Sequence, residues 1–217
     1  MKTLLKPFRA AIFDLDGTLL DSLGVWAEID CLFLKKRGIP VPPDYQHAVK
    51  VMNFTEAAEY TAMRFSLNES PADLVAEWME MIRSAYAHDV ALTPFAAEYL
   101  SKLRADGVKI AAATSGDPTL FLPALARHGV KELFSAFVTT AEVGKGKRHP
   151  DVYLEAARRI QTPPSECAVF EDVLAAIKTA RAAGFYTVAV REESSLHEEA
   201  ELRAESDAFI VSYRDLL

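Results

Sequence analysis

Short apolar runs alternate with helical segments along most of the chain, and this alternation is the first guide to the fold. Runs rich in β-branched, aromatic or alanine residues predict buried strands over 8–13, 108–113, 167–170 and 187–190, and a last short strand and turn within 208–217. Segments bounded by Pro or Gly predict helices over 93–107, 118–128, 150–160 and 172–183. Strands that alternate with helices pair in parallel through right-handed crossovers, so the sequence predicts an α/β fold with a Rossmann-like parallel-sheet core.

One long stretch without strand-like runs separates the first predicted strand from the others. Its apolar positions follow a helical period and predict helices over 23–37, 44–50, 55–65 and 70–89. Asn53 and Ser70 stand where the N-caps of the last two helices are expected. We therefore predict an inserted all-helical cap domain, residues 22–90, in a core formed by residues 1–21 and 91–217.

The composition limits the partners that the chain is expected to bind. A formal net charge of -7 disfavours nucleic-acid binding, because affinity for the phosphate backbone comes from clustered Lys and Arg. The two cysteines, Cys31 and Cys167, are too few for a disulfide framework, and both are predicted to lie in the core. We find neither a signal peptide nor an apolar run of about 18 residues, so we expect no membrane partner and a cytoplasmic location.

The strongest chemical signal follows the first predicted strand, where Asp14 and Asp16 are two positions apart. The pleat of a strand puts such residues on one face, so their negative charges lie close together. Buried like charges are costly unless one carboxyl is protonated or a cation lies between them, and Mg2+ is the divalent cation that best matches carboxylate oxygens. The structural alternative is a polar strand end followed by a turn at Gly17 and Thr18.

Residues 13–22, Phe-Asp-Leu-Asp-Gly-Thr-Leu-Leu-Asp-Ser, closely resemble the first motif of the haloacid dehalogenase-like superfamily. The resemblance implies that Asp14 is the nucleophile and that Asp16 is a general acid and base whose main-chain carbonyl also binds the metal ion. The second motif of the family, a Ser or Thr at the end of a buried strand, matches Thr114, which follows three alanines. It implies that the Thr114 hydroxyl and the Ser115 amide hold a phosphoryl oxygen of the substrate.

The third and fourth motifs of the family follow in the same order. The third is a Lys, usually in Lys-Pro-x-Pro-Asp, and it matches Lys147, with Arg148 in place of the first Pro. Lys145 is a competing candidate, but only Lys147 keeps the spacing to the following Pro-Asp pair. The fourth motif is an acidic pair after a strand, and it matches Glu171 and Asp172. The resemblance implies that Asp172 binds the metal ion and that Glu171 supports the metal or its water ligands.

An insertion between the first two motifs resembles the helical cap class, C1, of subfamily I, in its branch of phosphatases and beta-phosphoglucomutases. This resemblance implies a Mg2+-dependent phosphatase that hydrolyses a small phosphorylated metabolite, a sugar or organic phosphate monoester, through an aspartyl phosphate. Asn53, Thr55 and Glu56 are the cap residues that we expect to contact the substrate. We expect the protein to be a monomer or a weak dimer.

Three alternative functions compete with this interpretation: one is a different reaction on the same fold, and two belong to a different functional class. A beta-phosphoglucomutase shares the sheet and metal site, but that group usually has Val where this chain has Thr18, and no Arg for a second phosphate occurs in residues 51–56. A non-catalytic regulator that binds phosphate or Mg2+ is expected to lack at least one motif residue, and none is missing. A nucleotide-binding oxidoreductase needs Gly-x-Gly-x-x-Gly after the first strand, and this chain lacks it there.

Overall fold

The structure is a computed structural model, and it describes residues 5–49, 52 and 54–217. The chain divides into two compact units. Unit 1 consists of Met1–Leu23 and Val90–Leu217, and unit 2 consists of Gly24–Asp89. Unit 2 starts two residues after the start of the predicted insert, 22–90, and ends one residue before the end of that insert. The use of unit 2 as a cap stays a prediction.

Helices account for the secondary structure of unit 2, and no strand occurs among its described residues. They are α1 (Val25–Lys36), α2 (Tyr45–Val49), α3 (Phe54–Phe65) and α4 (Pro71–His88). Ser70 caps α4 as predicted, because its hydroxyl accepts the amide of Asp73 while the Asp73 carboxylate accepts the amide of Ser70. Asn53, the predicted cap of α3, lies outside the described residues.

An aromatic contact and an ion cluster join α1 to α4 in unit 2. Phe33 packs against Trp78 with ring centroids 5.3 Å apart. The guanidinium of Arg37 lies 3.8 Å from the centroid of the Phe33 ring. It also donates to the carboxylates of Glu69, at 2.9 Å, and Glu77, at 2.5 Å. Unit 2 therefore has an apolar core with a network of ion pairs at its edge.

The prediction that Cys31 lies in a core is wrong, because its side chain is exposed. In α1 the buried residues Ile29 and Phe33 lie about one turn apart on one face, and Cys31 lies on the opposite face. Leu32, at the side of the buried face, is also exposed. The apolar residues of α1 extend around more of the helix than its packing covers. Cys167 is buried, as predicted.

Unit 1 is built on a parallel sheet. The strands of this unit, in chain order, are β1 (Ala10–Phe13), β2 (Leu20–Asp21), β3 (Ala91–Leu92), β4 (Lys109–Thr114), β5 (Ala136–Thr139), β6 (Cys167–Glu171), β7 (Tyr186–Val190) and β8 (Ala208–Ile210). Six of them form one sheet in the order β5-β4-β1-β6-β7-β8, and every pairing in it is parallel. The predicted α/β fold class is confirmed.

Two features of the strands were not predicted. β5 is the edge strand beside β4, and its apolar run, 136–138, is only three residues long, which is too short to be recognised as a strand in the sequence. β2 and β3 form a separate antiparallel pair where the chain leaves unit 1 and returns to it, with Leu20 opposite Leu92 and Asp21 opposite Ala91. Pairs of two residues are too short to give a period in the sequence.

The helices of unit 1 cover the sheet and supply its core. They are α5 (Ala96–Ala105), α6 (Pro118–Arg127), α7 (Thr140–Val143), α8 (Asp151–Arg159), α9 (Leu174–Ala182) and α10 (Glu199–Glu205). A buried cluster joins Val152, Tyr153 and Ala156 of α8 to Ile12 of β1 and Val169 of β6. This packing holds α8 against the centre of the sheet. Across the described parts of both units, no helix combines the length and hydropathy that a membrane span requires.

Candidate active site

The carboxyl ends of β1 and β6 form the point at which the strand order of the sheet reverses. After β1 the chain reaches β4 on one side, whereas after β6 it reaches β7 on the other. Open parallel sheets bind ligands outside the carboxyl ends of strands at such a point. Asp14 directly follows β1, and Glu171 is the last residue of β6, followed by Asp172. Three of the predicted site residues therefore lie where the topology favours a site.

Asp14, Lys147 and Glu171 form a buried ion cluster at this point. Nζ of Lys147 lies 2.5 Å from Oδ1 of Asp14 and 2.5 Å from Oε1 of Glu171. Lys147 reaches them from the segment between α7 and α8, and its side chain is 14% exposed. The competing candidate Lys145 instead pairs with Asp151, at 2.8 Å on the surface. Of the two lysines, Lys147 is the one that the fold brings to the predicted nucleophile.

Asp172 completes a group of three acids. Its Oδ1 accepts the hydroxyl of Thr18 at 2.9 Å. Gly17 has a φ of +81°, and a Cβ atom at this position would lie 2.8 Å from Oδ2 of Asp172. The turn after Asp16 thus needs glycine both for its backbone conformation and for its close approach to the carboxylate. One oxygen each from Asp14, Glu171 and Asp172 lie within 4.8 Å of one another.

The carboxyl groups of this cluster are difficult to ionise together. Burial, together with the negative charge of Glu171, raises the pKa of Asp14 to about 7 despite the contact with Lys147. Burial and the charge of Asp14 likewise raise the pKa of Asp172 to about 7. Burial alone would lower the pKa of Lys147, but the adjacent carboxylates raise it above its ordinary value. One ammonium therefore faces three carboxyl groups, and the site has an excess of negative charge.

The donor set of this cluster fits a hard divalent cation. Oε2 of Glu171 is buried and has no hydrogen-bond donor among the described residues. An unpaired buried carboxylate oxygen is costly, and a cation within reach of it removes that cost. Carboxylate oxygens are the ligands that Mg2+ selects. Asp14, Asp172 and Glu171 are thus able to hold a metal ion. That this ion is Mg2+ and that the main chain of Asp16 binds it stay predictions.

Asp16 and Thr114 converge on Gly116. Oδ1 of Asp16 accepts the hydroxyl of Ser22 at 2.6 Å. A Cβ atom on Gly116 would lie 3.0 Å from Oδ2 of Asp16 and 3.2 Å from Oγ1 of Thr114. Thr114 is buried at the end of β4, and its oxygen accepts the Gly116 amide at 2.9 Å. Its hydroxyl proton therefore remains for donation to a ligand. Ser115 follows in an exposed position.

The cap residues that were predicted to contact the substrate are Asn53, Thr55 and Glu56. Thr55 and Glu56 are exposed in the first turn of α3, and their contact with substrate stays a prediction. Asn53 lies outside the described residues.

Two residues that were not predicted also contact the acidic cluster. Tyr153 donates a hydrogen bond to Glu171, and Thr18 donates one to Asp172. The available signal was their position beside motif residues, together with the tendency of a buried tyrosine to need a polar partner.

Comparison with known proteins places this site in a family. A family model described as haloacid dehalogenase-like hydrolase matches residues 8–184. The chain belongs to the haloacid dehalogenase-like hydrolase family. The matched residues include the four motifs, from Asp14 in the first to Asp172 in the last, so the resemblance predicted from these motifs is confirmed.

Individual relatives are similar to this hydrolase over most of its length. It is 34% identical to Hexitol phosphatase A of Escherichia coli over 84% of this chain and 82% of the relative. It is 31% identical to the bifunctional riboflavin kinase/FMN phosphatase of Arabidopsis thaliana over 99% of this chain, which spans 56% of that longer protein. A Thermotoga maritima crystal structure assigned as a beta-phosphoglucomutase superposes with a TM-score of 0.85 at 24% identity, covering 96% of each chain. At that identity, the superposition shows the shared fold.

Proposed function

We propose that this hydrolase is a Mg2+-dependent phosphatase that releases inorganic phosphate from small phosphorylated metabolites through an aspartyl phosphate on Asp14. The observation that carries the proposal is the Asp14 carboxylate held 2.5 Å from the Lys147 ammonium beside two further acids. The names of the relatives from Escherichia coli and Arabidopsis thaliana, both of which include a phosphatase, support the same reaction class. Sugar and other organic phosphate monoesters are the expected substrates.

In the first half-reaction, Asp14 acts as the nucleophile. Its carboxylate oxygen forms a bond to phosphorus while the bond from phosphorus to the leaving oxygen breaks. Lys147 favours the ionised form of Asp14 and offers positive charge to the phosphoryl oxygens, and the hydroxyl of Thr114 donates to one of them. Asp16 gives its proton to the leaving alkoxide, so the alcohol departs as a neutral product.

In the second half-reaction, Asp16 acts as the base. It takes a proton from a water molecule, whose oxygen attacks phosphorus and releases the Asp14 carboxylate with inorganic phosphate. The Ser22 hydroxyl, 2.6 Å from Oδ1 of Asp16, holds one oxygen of this carboxyl group and leaves Oδ2 on the side of Thr114. The same carboxyl group thus serves both steps.

The metal ion has a defined place in this scheme. Asp14, Asp172 and Glu171 are the side chains that would hold it. When bound, Mg2+ supplies positive charge that reduces repulsion between the carboxylates and the negatively charged phosphate.

A phosphate-release assay tests the proposal. The purified protein is incubated with a generic aryl phosphate, hexitol phosphates, other sugar phosphates and FMN, each with Mg2+ and with EDTA. We expect at least one substrate to give inorganic phosphate and an equimolar alcohol, with turnover lost in EDTA. An isomerised phosphate ester without phosphate release would instead support the mutase. Binding of the esters and Mg2+ without any turnover would support the non-catalytic regulator.

A further inference from the structure

Tyr153 is a fully buried residue of α8 that contacts the acidic cluster. Its hydroxyl donates to Oε1 of Glu171 at 2.7 Å. Its ring makes an edge contact with Phe185, with centroids 6.2 Å apart, and belongs to the core cluster that holds α8 on the sheet. Because the ring is fixed by packing, the position of the hydroxyl is fixed by the same contacts.

The two oxygens of the Glu171 carboxylate have unequal surroundings. Oε1 receives both the Tyr153 hydroxyl and the Lys147 ammonium, the latter at 2.5 Å. These donors match the two lone pairs of a carboxylate oxygen. Oε2 is buried without a donor among the described residues. A rotation that exchanged the two oxygens would break both hydrogen bonds to Oε1, so these donors favour the orientation in which Oε2 is left open.

We propose that Tyr153 is a positioning residue that holds Glu171 through Oε1, so that Oε2 stays available to a divalent cation and Lys147 stays shared with Asp14. Without the hydroxyl, Lys147 is the remaining donor to Oε1, and the carboxylate gains freedom to turn both oxygens toward the ammonium. That rotation removes a ligand from the cation and draws positive charge away from Asp14. The inference rests on the proposed metal-dependent function and adds a residue outside the family motifs.

The test measures metal binding directly, without substrate. Mn2+, which shares the preference of Mg2+ for oxygen ligands, is titrated into the full chain, and the free ion is followed by electron paramagnetic resonance. We expect Tyr153→Phe to raise the dissociation constant for Mn2+ by about 10-fold, the usual effect of losing a hydrogen bond to a metal ligand. The half-saturating Mg2+ concentration for phosphate release should rise similarly, with a smaller fall in kcat at saturating Mg2+.

Two further variants separate positioning from packing. Tyr45→Phe is the matched control in unit 2, since it removes a buried tyrosine hydroxyl that bonds to Thr61 at 2.8 Å. It should leave the dissociation constant for Mn2+ within twofold of the wild-type value. Tyr153→Leu also removes the ring that contacts Phe185, so it should lower the thermal midpoint in EDTA below that of Tyr153→Phe while giving the same change in Mn2+ binding.

The outcomes distinguish this inference from the proposed function. A folded Tyr153→Phe variant that binds Mn2+ within twofold of the wild type overturns the inference and leaves the phosphatase proposal standing. Weakened Mn2+ binding in a protein that releases no phosphate from any ester supports the inference and overturns the phosphatase. A wild-type protein that binds no Mn2+ overturns both.

Discussion

Each unit contains a cation between two carboxylates, and the two clusters differ in their charge balance. In unit 2, Arg37 lies between Glu69 and Glu77, and Lys36 adds a second cation at 2.9 Å from Glu77. In unit 1, Lys147 lies between Asp14 and Glu171, with Asp172 as a third acid. The side chains of Arg37 and Lys147 are both 14% exposed, but Glu69 and Glu77 are partly exposed whereas Asp14 and Glu171 are buried. The clusters therefore differ in the burial of their acids as well as in their charge balance.

The pKa values of the acids in the two clusters are shifted in opposite directions. Hydrogen bonding from Arg37 lowers the pKa of Glu77, and a backbone hydrogen bond together with Arg37 lowers that of Glu69. Burial and mutual repulsion raise the pKa of Asp14 and of Asp172 to about 7. A balanced cluster stabilises its ionised state, whereas the cluster of unit 1 is complete only with further positive charge. Perturbed acids of this second kind are typical of functional sites.

The largest expected effect comes from removing the proposed nucleophile, Asp14. Asp14→Asn should lower kcat for phosphate release by at least about 10^4-fold, as expected when a covalent nucleophile is lost. The thermal midpoint in EDTA should stay equal or rise, because the substitution removes one of three repelling charges. Arg37→Met is the control, with kcat expected within twofold of the wild type. An Asp14→Asn protein that keeps its turnover would contradict the assigned chemistry.

Removing each cation in turn compares the two clusters directly. At pH 8 in EDTA, Lys147→Met should lower the free energy of unfolding by about 3 kcal/mol, because it leaves buried carboxylates unpaired. Arg37→Met should lower it by only about 1 kcal/mol, since its carboxylate partners are partly exposed to solvent. Urea denaturation with and without Mg2+ measures both values. Mg2+ should restore stability to the Lys147 variant alone, and equal recovery in both variants would contradict the proposed charge excess.

A pH dependence of stability is the last expected effect. Because the pKa of Asp14 and of Asp172 is about 7 in the folded state and about 4 in an unfolded chain, the folded state binds more protons between these values. In EDTA their contribution to the free energy of unfolding therefore falls as pH rises through this range. Mg2+ prefers the ionised acids, so the thermal midpoint in Mg2+ minus that in EDTA should increase with pH up to about 7. A difference that is flat with pH would contradict the shifted pKa values.

The sequence predicted the central strands well because strands buried on both faces have continuous apolar runs. It also favoured Lys147 over Lys145 through the spacing to Pro150, and the fold brings Lys147 to Asp14. It missed β5 because the apolar run of this strand, 136–138, is only three residues long. It missed the hydrogen bond of Tyr153 because an aromatic residue in an amphipathic helix is indistinguishable from ordinary core until the partner strand is known.

The antiparallel pair of β2 and β3 brings the chain ends of the insertion side by side, with Asp21 opposite Ala91. Two adjacent antiparallel ends are the geometry that a short hairpin turn joins. The stretch between them therefore leaves and re-enters unit 1 at adjacent positions. Its replacement by a turn or by a different helical segment requires no change in the register of the parallel sheet. Evolution or design is therefore free to exchange this stretch without altering Asp14, Glu171 and Asp172, the acidic cluster at the ends of β1 and β6.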